Sequence, residues 1–509
     1  MAIVGAGPAG IYAADLLTKA ERDFEVSIDL FERLPAPFGL VRYGVAPDHP
    51  RIKGIQKALI KVLDRGDVRL LANVDFGTDI TLEDLRGLYD AVIFSTGSFD
   101  DARLELPGID LPRSYGAADF VNWYDAHPDV PQEWPLGAQR VAVIGNGNVA
   151  LDVARVLAKQ ADDMLSTEIP DHVHRGLQAS QVTDVHVFGR RGPAQTKFTP
   201  LELRELGQVK DVDIVVYPED YEFDEASMAA IHSNNQTKQV TKTLTDFTLR
   251  EPTGAPRRLH FHFLHAPVEV LGDEQSGVTG LRTERQELDG NGGVVGTGTH
   301  HDWPLDAVYR AVGYFGSPLA DIPFDARRGV ITNVEGRVHR GESQEQAADT
   351  PVIPGLYATG WIKRGPVGLI GHTKGDALET ITHLIEDRTA GLLPVPADPR
   401  EDAIIELLES RGVDFADWDG FHRLESAEQA LGEPQGRERV KIPTRDGMLE
   451  HSRRRVDAHV GWPAPALARA ESRRRRPPHR SVRRPSPCPS RSDGGERQET
   501  GVPSSLSAG

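Results

Sequence analysis

The chain opens with Met1-Ala2-Ile3-Val4-Gly5-Ala6-Gly7-Pro8-Ala9-Gly10, and apolar residues at helical spacing follow over residues 11–17. This order predicts a short buried strand, a glycine turn and a helix. Gly5 permits the tight turn, Gly7 lets the backbone approach a pyrophosphate, and Gly10 allows the helix to pack closely on the strand. The free N–H groups at the start of such a helix stabilise phosphate charge.

An acidic residue completes this first motif. The next apolar strand, residues 26–31, ends at Glu32, which lies 22 residues after Gly10. A carboxylate at about this distance binds a ribose hydroxyl of a dinucleotide. The pattern therefore predicts a dinucleotide site that uses Gly5, Gly7, Ala9, Gly10 and Glu32. Because only three residues separate Met1 from the turn, we expect an upstream start to lengthen the first strand and improve cofactor loading.

A second motif of the same kind lies further along the chain. Residues 140–144 form an apolar strand that enters Gly145-Asn146-Gly147-Asn148-Val149-Ala150, and helical spacing follows. The next strand, residues 184–188, is followed by Arg190 and Arg191 instead of an acid. Guanidinium groups bind phosphate oxygens, so this pair favours NADP(H) over NAD(H) through the 2′-phosphate.

The spacing within the second motif is unusual. Arg190 lies 43 residues after Gly147, about twice the usual separation, which predicts an insertion such as residues 158–180. The alternative for the two arginines is a surface pair that binds no ligand.

Two dinucleotide sites in one chain predict a reaction between two bound dinucleotides. The simplest arrangement places FAD at the first site, reduced by NADPH from the second, because a hydride needs a nearby acceptor. The one cysteine, Cys488, excludes a cluster with cysteine ligands, a disulfide framework and a redox-active cysteine pair within the chain. Electrons must then leave the flavin for a cluster on another protein.

The order of these motifs predicts the fold class. We expect an α/β fold of two Rossmann-like dinucleotide-binding domains, with the NADP-binding domain inserted into the FAD-binding domain in a glutathione-reductase-like architecture. Buried strands at residues 89–97 and 307–313 mark the crossings, and residues 355–361 return the chain to the first domain. The predicted parts are an FAD-binding domain of residues 1–108 and 318–450, an NADP-binding domain of residues 109–317, and a tail of residues 451–509.

Charge divides the chain into two unequal parts. The net charge is −18, yet the tail carries arginine runs at 453–455 and 473–476, so the remainder is more acidic still. An acidic body argues against nucleic acid as a partner. The Arg, Pro and Ser content of the tail predicts disorder, either as a silent extension or as a segment that binds nucleic acid or an acidic surface. No apolar run approaches the roughly 20 residues of a membrane span, and scarce cysteine fits a cytoplasmic location.

A third glycine-rich segment, residues 365–371, precedes helical spacing around residues 377–381. Backbone N–H groups at such a helix start would stabilise the negative charge that a reduced flavin gains. Trp361, just before this segment, would cover the flavin ring; an ordinary core tryptophan is the alternative.

Four sequence blocks together point to a family. They are residues 41–50 (VRYGVAPDHP), 143–155 (VIGNGNVALDVAR), 189–193 (GRRGP) and 360–366 (GWIKRGP). With these blocks in this order, residues 1–445 resemble the adrenodoxin-reductase-like ferredoxin–NADP reductases of mitochondria and actinobacteria. The resemblance implies a reversible NADPH:ferredoxin oxidoreductase with FAD and NADP(H) as cofactors and an acidic ferredoxin as partner. We expect it to be a monomer.

The same resemblance implies individual cofactor contacts. The residues implied to contact FAD are Glu32, Leu40, Trp361, Gly368, Leu369 and Ile370. Those implied to contact NADPH, together with Gly145 of the glycine turn, are Asn146, Gly147, Asn148, Val149, Arg190, Arg191 and Glu202. Val74 is a further cofactor-binding position, and Arg103 falls where the family has an arginine near the nucleotide.

The resemblance also implies that His49 and Glu205 form a hydrogen-bonded pair near the flavin. Hydride transfer needs no general acid, so the pair is expected to orient groups or support electron exit, with proton relay as a second role. A capping or packing histidine is the alternative at this position.

A basic row is predicted on one helix. Lys53, Lys57 and Lys61 recur at four-residue steps, while apolar residues of the same segment turn inward. On an acidic protein such a row would attract an acidic ferredoxin, with Arg204 and Lys363-Arg364 as further contributors. A solvated helix face is the alternative.

Other flavoprotein classes share two dinucleotide sites. A thioredoxin-reductase-like enzyme needs a cysteine pair, and the small subunit of glutamate synthase carries a cysteine-rich cluster domain, so the sequence disfavours both. A flavin monooxygenase would need a pocket for an organic substrate. A non-catalytic NADP-sensing or electron-bifurcation subunit would keep both sites without turnover, and flavin bleaching by NADPH distinguishes it.

Overall fold

Three consecutive segments of the chain build two parallel sheets in this computed structural model, which describes residues 1–368 and 370–453. The tail predicted at residues 451–509 therefore lies outside the described residues from 454 onward, as does Leu369. Among the helices of the described segments, none combines the length and the apolar character needed to cross a membrane.

The secondary structure of each segment is as follows. The first segment contains β1 (Ala2–Val4), α1 (Pro8–Lys19), β2 (Asp29–Glu32), α2 (Leu40–Tyr43), α3 (Pro50–Lys53), α4 (Ile55–Leu63), β3 (Arg69–Ala72), α5 (Leu82–Leu88), β4 (Val92–Phe94) and β5 (Asp100–Asp101). The second contains β6 (Ser114–Gly116), α6 (Ala117–Tyr124), β7 (Arg140–Ile144), α7 (Asn148–Ala158), α8 (Asp171–Gln178), β8 (Asp184–Gly189), α9 (Pro200–Leu206), β9 (Val212–Val216), α10 (Glu225–Ser233), α11 (Asn235–Thr248), β10 (Arg257–Phe263), β11 (His265–Asp273), β12 (Gly277–Leu288), β13 (Val294–Pro304) and β14 (Ala307–Arg310). The third contains β15 (Tyr314–Phe315), β16 (Phe324–Asp325), β17 (Val330–Ile331), β18 (Asn333–Val334), β19 (Arg337–His339), β20 (Val352–Ala358), α12 (Trp361–Arg364), α13 (Thr373–Thr389), α14 (Ala403–Ser410), α15 (Trp418–Gly432) and α16 (Arg445–Ser452).

The first sheet combines strands from the two ends of the described chain. Its order is β18-β19-β20-β4-β1-β2-β3, and the strands from β20 to β3 run parallel. β20 pairs with β4 in the register Leu356↔Val92, which returns the third segment to the sheet of the first. Val92-Ile93-Phe94 are all buried, as expected of a parallel strand covered on both faces.

The second sheet is built entirely from the middle segment. Its order is β6-β14-β7-β8-β10-β9, and every pairing is parallel. The antiparallel strands β11, β12 and β13 form a separate sheet, and Trp303 of β13 packs against Phe188 of β8. The α/β fold of two Rossmann-like units is thereby confirmed.

Short strands mark the two crossings between the sheets. β5 and β15 pair in antiparallel fashion, Tyr314 with Asp101 and Phe315 with Asp100, so outgoing and returning chains lie side by side. Residues 1–453 all fall within one compact unit. The division at residues 108/109 and 317/318 therefore stays a prediction. The insertion expected near residues 158–180 contains α8, which lies between α7 and β8.

The closing residues 400–450 pack against both earlier segments. Ala416 pairs with Ala72 beside β3, and Arg42 forms a buried ion pair with Glu428 of α15 at 2.5 Å. Arg437 donates hydrogen bonds to the carbonyl oxygens of Thr167 and Ile169 in the middle segment. We expect residues 400–450 to close the FAD-binding domain, and these contacts show that they also touch the middle segment.

Candidate active site

The first glycine turn has the geometry that its sequence predicts. Gly5 lies at φ +107°, and a Cβ there would stand 2.6 Å from the Ser95 carbonyl oxygen. A Cβ at Gly10 would overlap the Gly5 carbonyl oxygen and lie 2.6 Å from Ser95 Oγ. Gly7 is the N-cap of α1, and the space where its Cβ would stand is open. The turn therefore leaves a free approach to the start of a twelve-residue helix.

Glu32 is held beside this turn by two backbone donors. The N–H of Ala6 donates to Glu32 Oε2 at 3.0 Å, and the N–H of Leu34 donates to Oε1 at 3.1 Å. These bonds fix the carboxylate at the end of β2, next to the glycine loop. Val74, a buried residue two positions after β3, donates its N–H to the Glu32 carbonyl oxygen at 2.9 Å and so supports the same position.

The second glycine turn repeats the arrangement at the start of α7. Gly145 lies at φ +155°, where a Cβ would collide with the Ala311 carbonyl oxygen, and Gly147 caps the helix under open space. Asn146 packs against Gly189, the last residue of β8. Asn148 Oδ1 accepts the Thr199 N–H at 2.8 Å, which ties the turn to the segment before α9. Val149 lies in the first turn of α7 and packs against the buried core.

The charges beside the two turns differ in sign. Arg190 and Arg191 follow β8 directly, are exposed, and form no ion pair within the described part of the chain. Glu202 on α9 is 5% exposed, and burial raises the pKa of its carboxyl. The first turn thus carries an acid, whereas the second carries two available cations.

Buried polar atoms without a partner collect around both turns. Near the second turn they are Asn146 Oδ1, Gln195 Oε1, Thr199 Oγ1 and Glu202 Oε2. Near the first they include Thr359 Oγ1 and Trp361 Nε1. Such groups are costly unless a ligand or water completes their hydrogen bonds. Together with the open helix starts, they fit two bound dinucleotides.

Trp361 lies next to the first turn. Gly360 precedes it at φ +71°, and a Cβ there would stand 2.5 Å from Ala9 Cβ, so α12 begins against the glycine loop. The Trp361 ring lies 6.1 Å from that of Tyr314 on β15, one of the two crossing strands. An aromatic face is therefore available between the first turn and the crossing.

The remaining predicted cofactor residues occupy varied positions. Leu40 begins α2 and is partly buried, and Gly368 lies exposed at φ +86°. Ile370 opens a short 3₁₀ turn before α13. Arg103 is exposed and lines an open groove of about 640 Å³ together with Arg310.

His49, which immediately precedes α3 of the first segment, contacts two helices of the middle segment. Its Nδ1 lies 3.0 Å from Glu205 Oε2 on α9, and its Nε2 lies 2.9 Å from Asp152 Oδ1 on α7. The structure thus brings together the two predicted residues and adds Asp152. Burial opposes protonation of His49, but the hydrogen bond to Asp152 raises its pKa overall. Asp152 lies within the conspicuous block 143–155, yet its partner stands about a hundred residues earlier, so sequence spacing gave no signal for the contact.

The neighbour of His49 is clamped by α7 as well. Asp48 accepts a bidentate pair of bonds from Arg155 at 2.8 and 2.9 Å and a further bond from Lys159 at 3.0 Å. Asp48 is buried, but the Arg155 and Lys159 charges hold its pKa well below the ordinary range. These three residues join the loop of the first segment to the helix of the second dinucleotide site.

The predicted lysine row is wrong at Lys53. Gly54 separates α3 from α4, and Lys53 turns inward, with a side chain only 10% exposed. Its Nζ lies 3.0 Å from Asp125 and 2.6 Å from Glu168. Lys53 is therefore a buried ion-pair residue, because two carboxylates beneath the helix attract it more than solvent does.

Lys363 and Arg364 are also not free surface cations. Lys363 is 6% exposed and pairs with Glu379, and Arg364 pairs with Asp376 at 2.6 Å. Both residues tie α12 to α13. The exposed members of the predicted basic surface are Lys57, Lys61 and Arg204.

Two open helix starts, an acid at one, two arginines at the other and an aromatic cover define a two-dinucleotide flavoprotein oxidoreductase. Comparison with known proteins gives the family. A family model described as pyridine nucleotide-disulphide oxidoreductase matches residues 1–190. The NADPH-ferredoxin reductase FprA of Mycobacterium leprae is 40% identical over 457 residues, 87% of this chain and 96% of that protein.

More distant relatives and a solved structure agree. The human mitochondrial NADPH:adrenodoxin oxidoreductase is 36% identical over 88% of this chain and 90% of its own length. The structure of Mycobacterium tuberculosis FprA in complex with NADPH superposes with a TM-score of 0.81 at 39% identity, covering 88% of this chain and 98% of that one. The chain belongs to the family of NADPH-ferredoxin and NADPH:adrenodoxin reductases, which confirms the predicted resemblance. It is an oxidoreductase with FAD and NADP(H) as cofactors.

Proposed function

We propose that this chain is an NADPH:ferredoxin oxidoreductase that takes a hydride from NADPH and delivers two electrons, one at a time, to an iron–sulfur protein. The observation that carries the proposal is the pairing of an acid-bearing and an arginine-bearing dinucleotide turn in one compact unit. FAD supplies the hydride acceptor and the one-electron donor when it is bound. Because each step is reversible, electrons flow in the direction that the two couples dictate.

The test of the whole reaction uses the FAD-loaded protein. NADPH should bleach the flavin absorbance, and an added ferredoxin should restore it. Ferricyanide serves as the control acceptor, since it needs no docking surface. A protein that binds both nucleotides without turnover would instead be the sensing subunit considered above.

Arg190 and Arg191 are proposed to select NADPH. Both are exposed and unpaired among the described residues, so they are free to bind the 2′-phosphate. A charge-assisted hydrogen bond contributes about 1.5–3 kcal/mol, which is roughly a 10- to 150-fold change in affinity. We expect Arg190→Ala and Arg191→Ala each to raise the KM for NADPH by such a factor. The KM for NADH, which lacks the phosphate, should change little; an equal rise for both nucleotides would contradict the assignment.

The first turn is proposed to hold FAD. Glu32, fixed by the N–H groups of Ala6 and Leu34, would accept the ribose hydroxyl, and the start of α1 would face the pyrophosphate. Trp361 and the segment that includes Gly368 and Ile370 would contact the ring system. Leu40 and Val74 are proposed contacts at the same site, and Arg103 is proposed to approach the nucleotide from its groove.

His49 and Glu205 are proposed to position the reacting groups. His49 is buried between two carboxylates and so has a fixed ring plane. We expect His49→Gln to slow electron delivery to ferredoxin more than it weakens NADPH binding. Unchanged delivery with a raised KM for NADPH would contradict this role.

The proposed docking surface comprises Lys57 and Lys61 on α4, with Arg204 as a further contact. Lys57 approaches Glu438 at 3.6 Å, but both side chains are largely exposed, and such pairs contribute only about 0–1 kcal/mol. Lys57 is therefore free to meet an acidic partner, and Lys61 is exposed one turn further on. Attraction of this kind changes the association rate and its salt dependence.

A charge-reversal pair tests this surface. In Lys57→Glu/Lys61→Glu, we expect a higher KM for ferredoxin and a flatter salt dependence, with ferricyanide reduction unchanged. Lys238→Glu/Lys242→Glu on α11 is the matched control, because both residues are exposed and have the same four-residue spacing. Equal effects of the two double variants would point to overall charge instead of local docking.

We also propose that the protein is a monomer, which size-exclusion chromatography with light scattering tests directly.

A further inference from the structure

A row of imidazoles lies on one face of the second sheet. His186 of β8 and His260 of β10 are direct neighbours across the parallel pairing, and their rings stack at 4.3 Å between centroids. His262 follows two residues later, with its ring 4.3 Å from Trp303 of the covering sheet. His260 and His262 are 7% and 1% exposed. Such faces of parallel sheets are ordinarily apolar, so buried polar rings in this number call for a specific partner.

Asp184 completes a compact set of ligand atoms. One atom from each of Asp184, His186 and His260 lies within 4.8 Å of the others. His260 Nε2 lies 3.1 Å from Asp184 Oδ1, close to the roughly 3.3 Å that separates two ligands of a tetrahedral ion with bonds near 2.0 Å. Two nitrogens and a carboxylate are a donor set typical of Zn²⁺.

The remaining ring nitrogens have the partners that metal-bound histidines use. His260 Nδ1 lies 2.9 Å from the Tyr217 hydroxyl, and His186 Nδ1 lies 3.0 Å from His262 Nε2. A ligating imidazole commonly places its second nitrogen in such a hydrogen bond, which fixes the ring and its tautomer.

We propose that Asp184, His186 and His260 bind one Zn²⁺ ion on one face of the second sheet, near the start of β8. A water molecule would complete the coordination on the side of His186, the most exposed of the three. Asp184 begins β8, whereas Arg190 follows its end, so the ion would lie at the opposite end of the strand from the NADP(H) site. It would therefore brace β8 against β10 and take no part in the hydride step.

Arg258 competes with the ion for the same carboxylate. Its Nε lies 2.6 Å from Asp184 Oδ1, while its side chain is 56% exposed and free to swing into solvent. Binding of Zn²⁺ would replace one cation with another at Asp184. Removal of the guanidinium should therefore tighten the site, which is a gain that a merely structural histidine row would not show.

The experiment titrates Zn²⁺ into the untagged, FAD-loaded protein by calorimetry. We expect one equivalent to bind, His186→Ala and His260→Ala to weaken this binding at least tenfold, and Arg258→Gln to strengthen it. His422→Ala, which removes a surface histidine paired with Asp64 at 3.1 Å, is the control and should leave the affinity unchanged. Each variant should retain flavin absorbance and NADPH–ferricyanide turnover.

A second measurement does not depend on the folding of any variant. Co²⁺ added to the wild-type protein should give the intense visible absorption of a four-coordinate site, and Zn²⁺ should displace it. No binding, a weak six-coordinate Co²⁺ spectrum, or equal Zn²⁺ affinity in the wild type and His186→Ala would each overturn the proposal. The imidazoles would then be a hydrogen-bonded stack and nothing more.

Discussion

Replacement of Lys53 by Met separates a structural lysine from a docking lysine. Lys53 Nζ contacts Asp125 at 3.0 Å and Glu168 at 2.6 Å, and Lys441 contacts the same two carboxylates at 3.2 and 3.0 Å. Asp125 and Glu168 would keep only one lysine between them in the variant. Met fills a similar volume, so the loss of charge dominates over the loss of packing.

The size of the expected stability loss follows from how deeply each lysine side chain is buried. Lys53 is 10% exposed and Asp125 is fully covered, and removing one partner of a buried ion pair costs about 3–5 kcal/mol. Lys57→Met is the matched control, because its side chain is 75% exposed in a surface pair that contributes at most about 1 kcal/mol. We therefore expect a much larger loss for Lys53→Met, although the two residues stand only one helical turn apart in sequence.

Two assays use the FAD-loaded protein. Urea unfolding, monitored by flavin fluorescence, gives the unfolding midpoint, and kinetic assays give the KM for ferredoxin. Lys53→Met should lower the unfolding midpoint substantially and leave the KM for ferredoxin close to that of the wild type in the folded fraction. The reasoning is refuted if the midpoint is unchanged while the KM for ferredoxin rises. In that case Lys53 would reach solvent, and the original row of three lysines would stand.

Three further predictions concern the glycine turn, His49 and Asp48. Gly10→Ala places a Cβ against the Gly5 carbonyl oxygen, so we expect a loss of about 1–3 kcal/mol and poor FAD loading, whereas Gly87→Ala in α5, with open space around it, should be neutral or stabilising. The raised pKa of His49 means that its ionised form stabilises the fold below about pH 6.5, and that this contribution is lost as the pH rises through the folded-state pKa. The destabilisation by His49→Gln in urea should therefore be larger at about pH 6 than at about pH 9. Asp48 has a depressed pKa, so its stabilisation is present above about pH 4 and lost as the pH falls; Asp48→Asn should flatten the acid limb of stability, and an unchanged limb would exclude this contribution.

Local sequence predicted the two dinucleotide turns because their geometry is decided within a few residues. Gly5, Gly10 and Gly145 each face a backbone oxygen that leaves no room for a Cβ. The presence of glycine at these positions therefore indicates the turn directly. The arginines after β8 are visible for a related reason, since they follow the strand directly. The resemblance to a family supplied His49 and Glu205, which no local pattern connects.

The periodicity of residues along the sequence could not predict contacts between segments that are far apart in the chain. A four-residue step placed Lys53 with Lys57 and Lys61, but Gly54 breaks the helix, and carboxylates from residues 125 and 168 draw Lys53 inward. The prediction that Lys363 belongs to an exposed basic surface is wrong for the same reason, because its partner Glu379 belongs to the next helix. The sign of a charge can be read from sequence, whereas its exposure depends on what packs beneath it.

The ion pairs around Asp48 explain why two separate dinucleotide turns can act as one site. Each turn orients its own nucleotide through a helix start, and neither turn constrains the other. The loop that carries Asp48 and His49 lies between α2 and α3 of the first segment. It is nevertheless held by Asp152 and Arg155 of α7, the helix that begins at the second turn, and by Lys159 at the C-cap of that helix. Because Arg155 is 2% exposed and bound at both guanidinium edges, it cannot release Asp48 without leaving buried charge behind. We therefore expect the alignment of the two nucleotides to depend on this clamp, whereas the glycine turns and the charges beside them decide which nucleotide is bound.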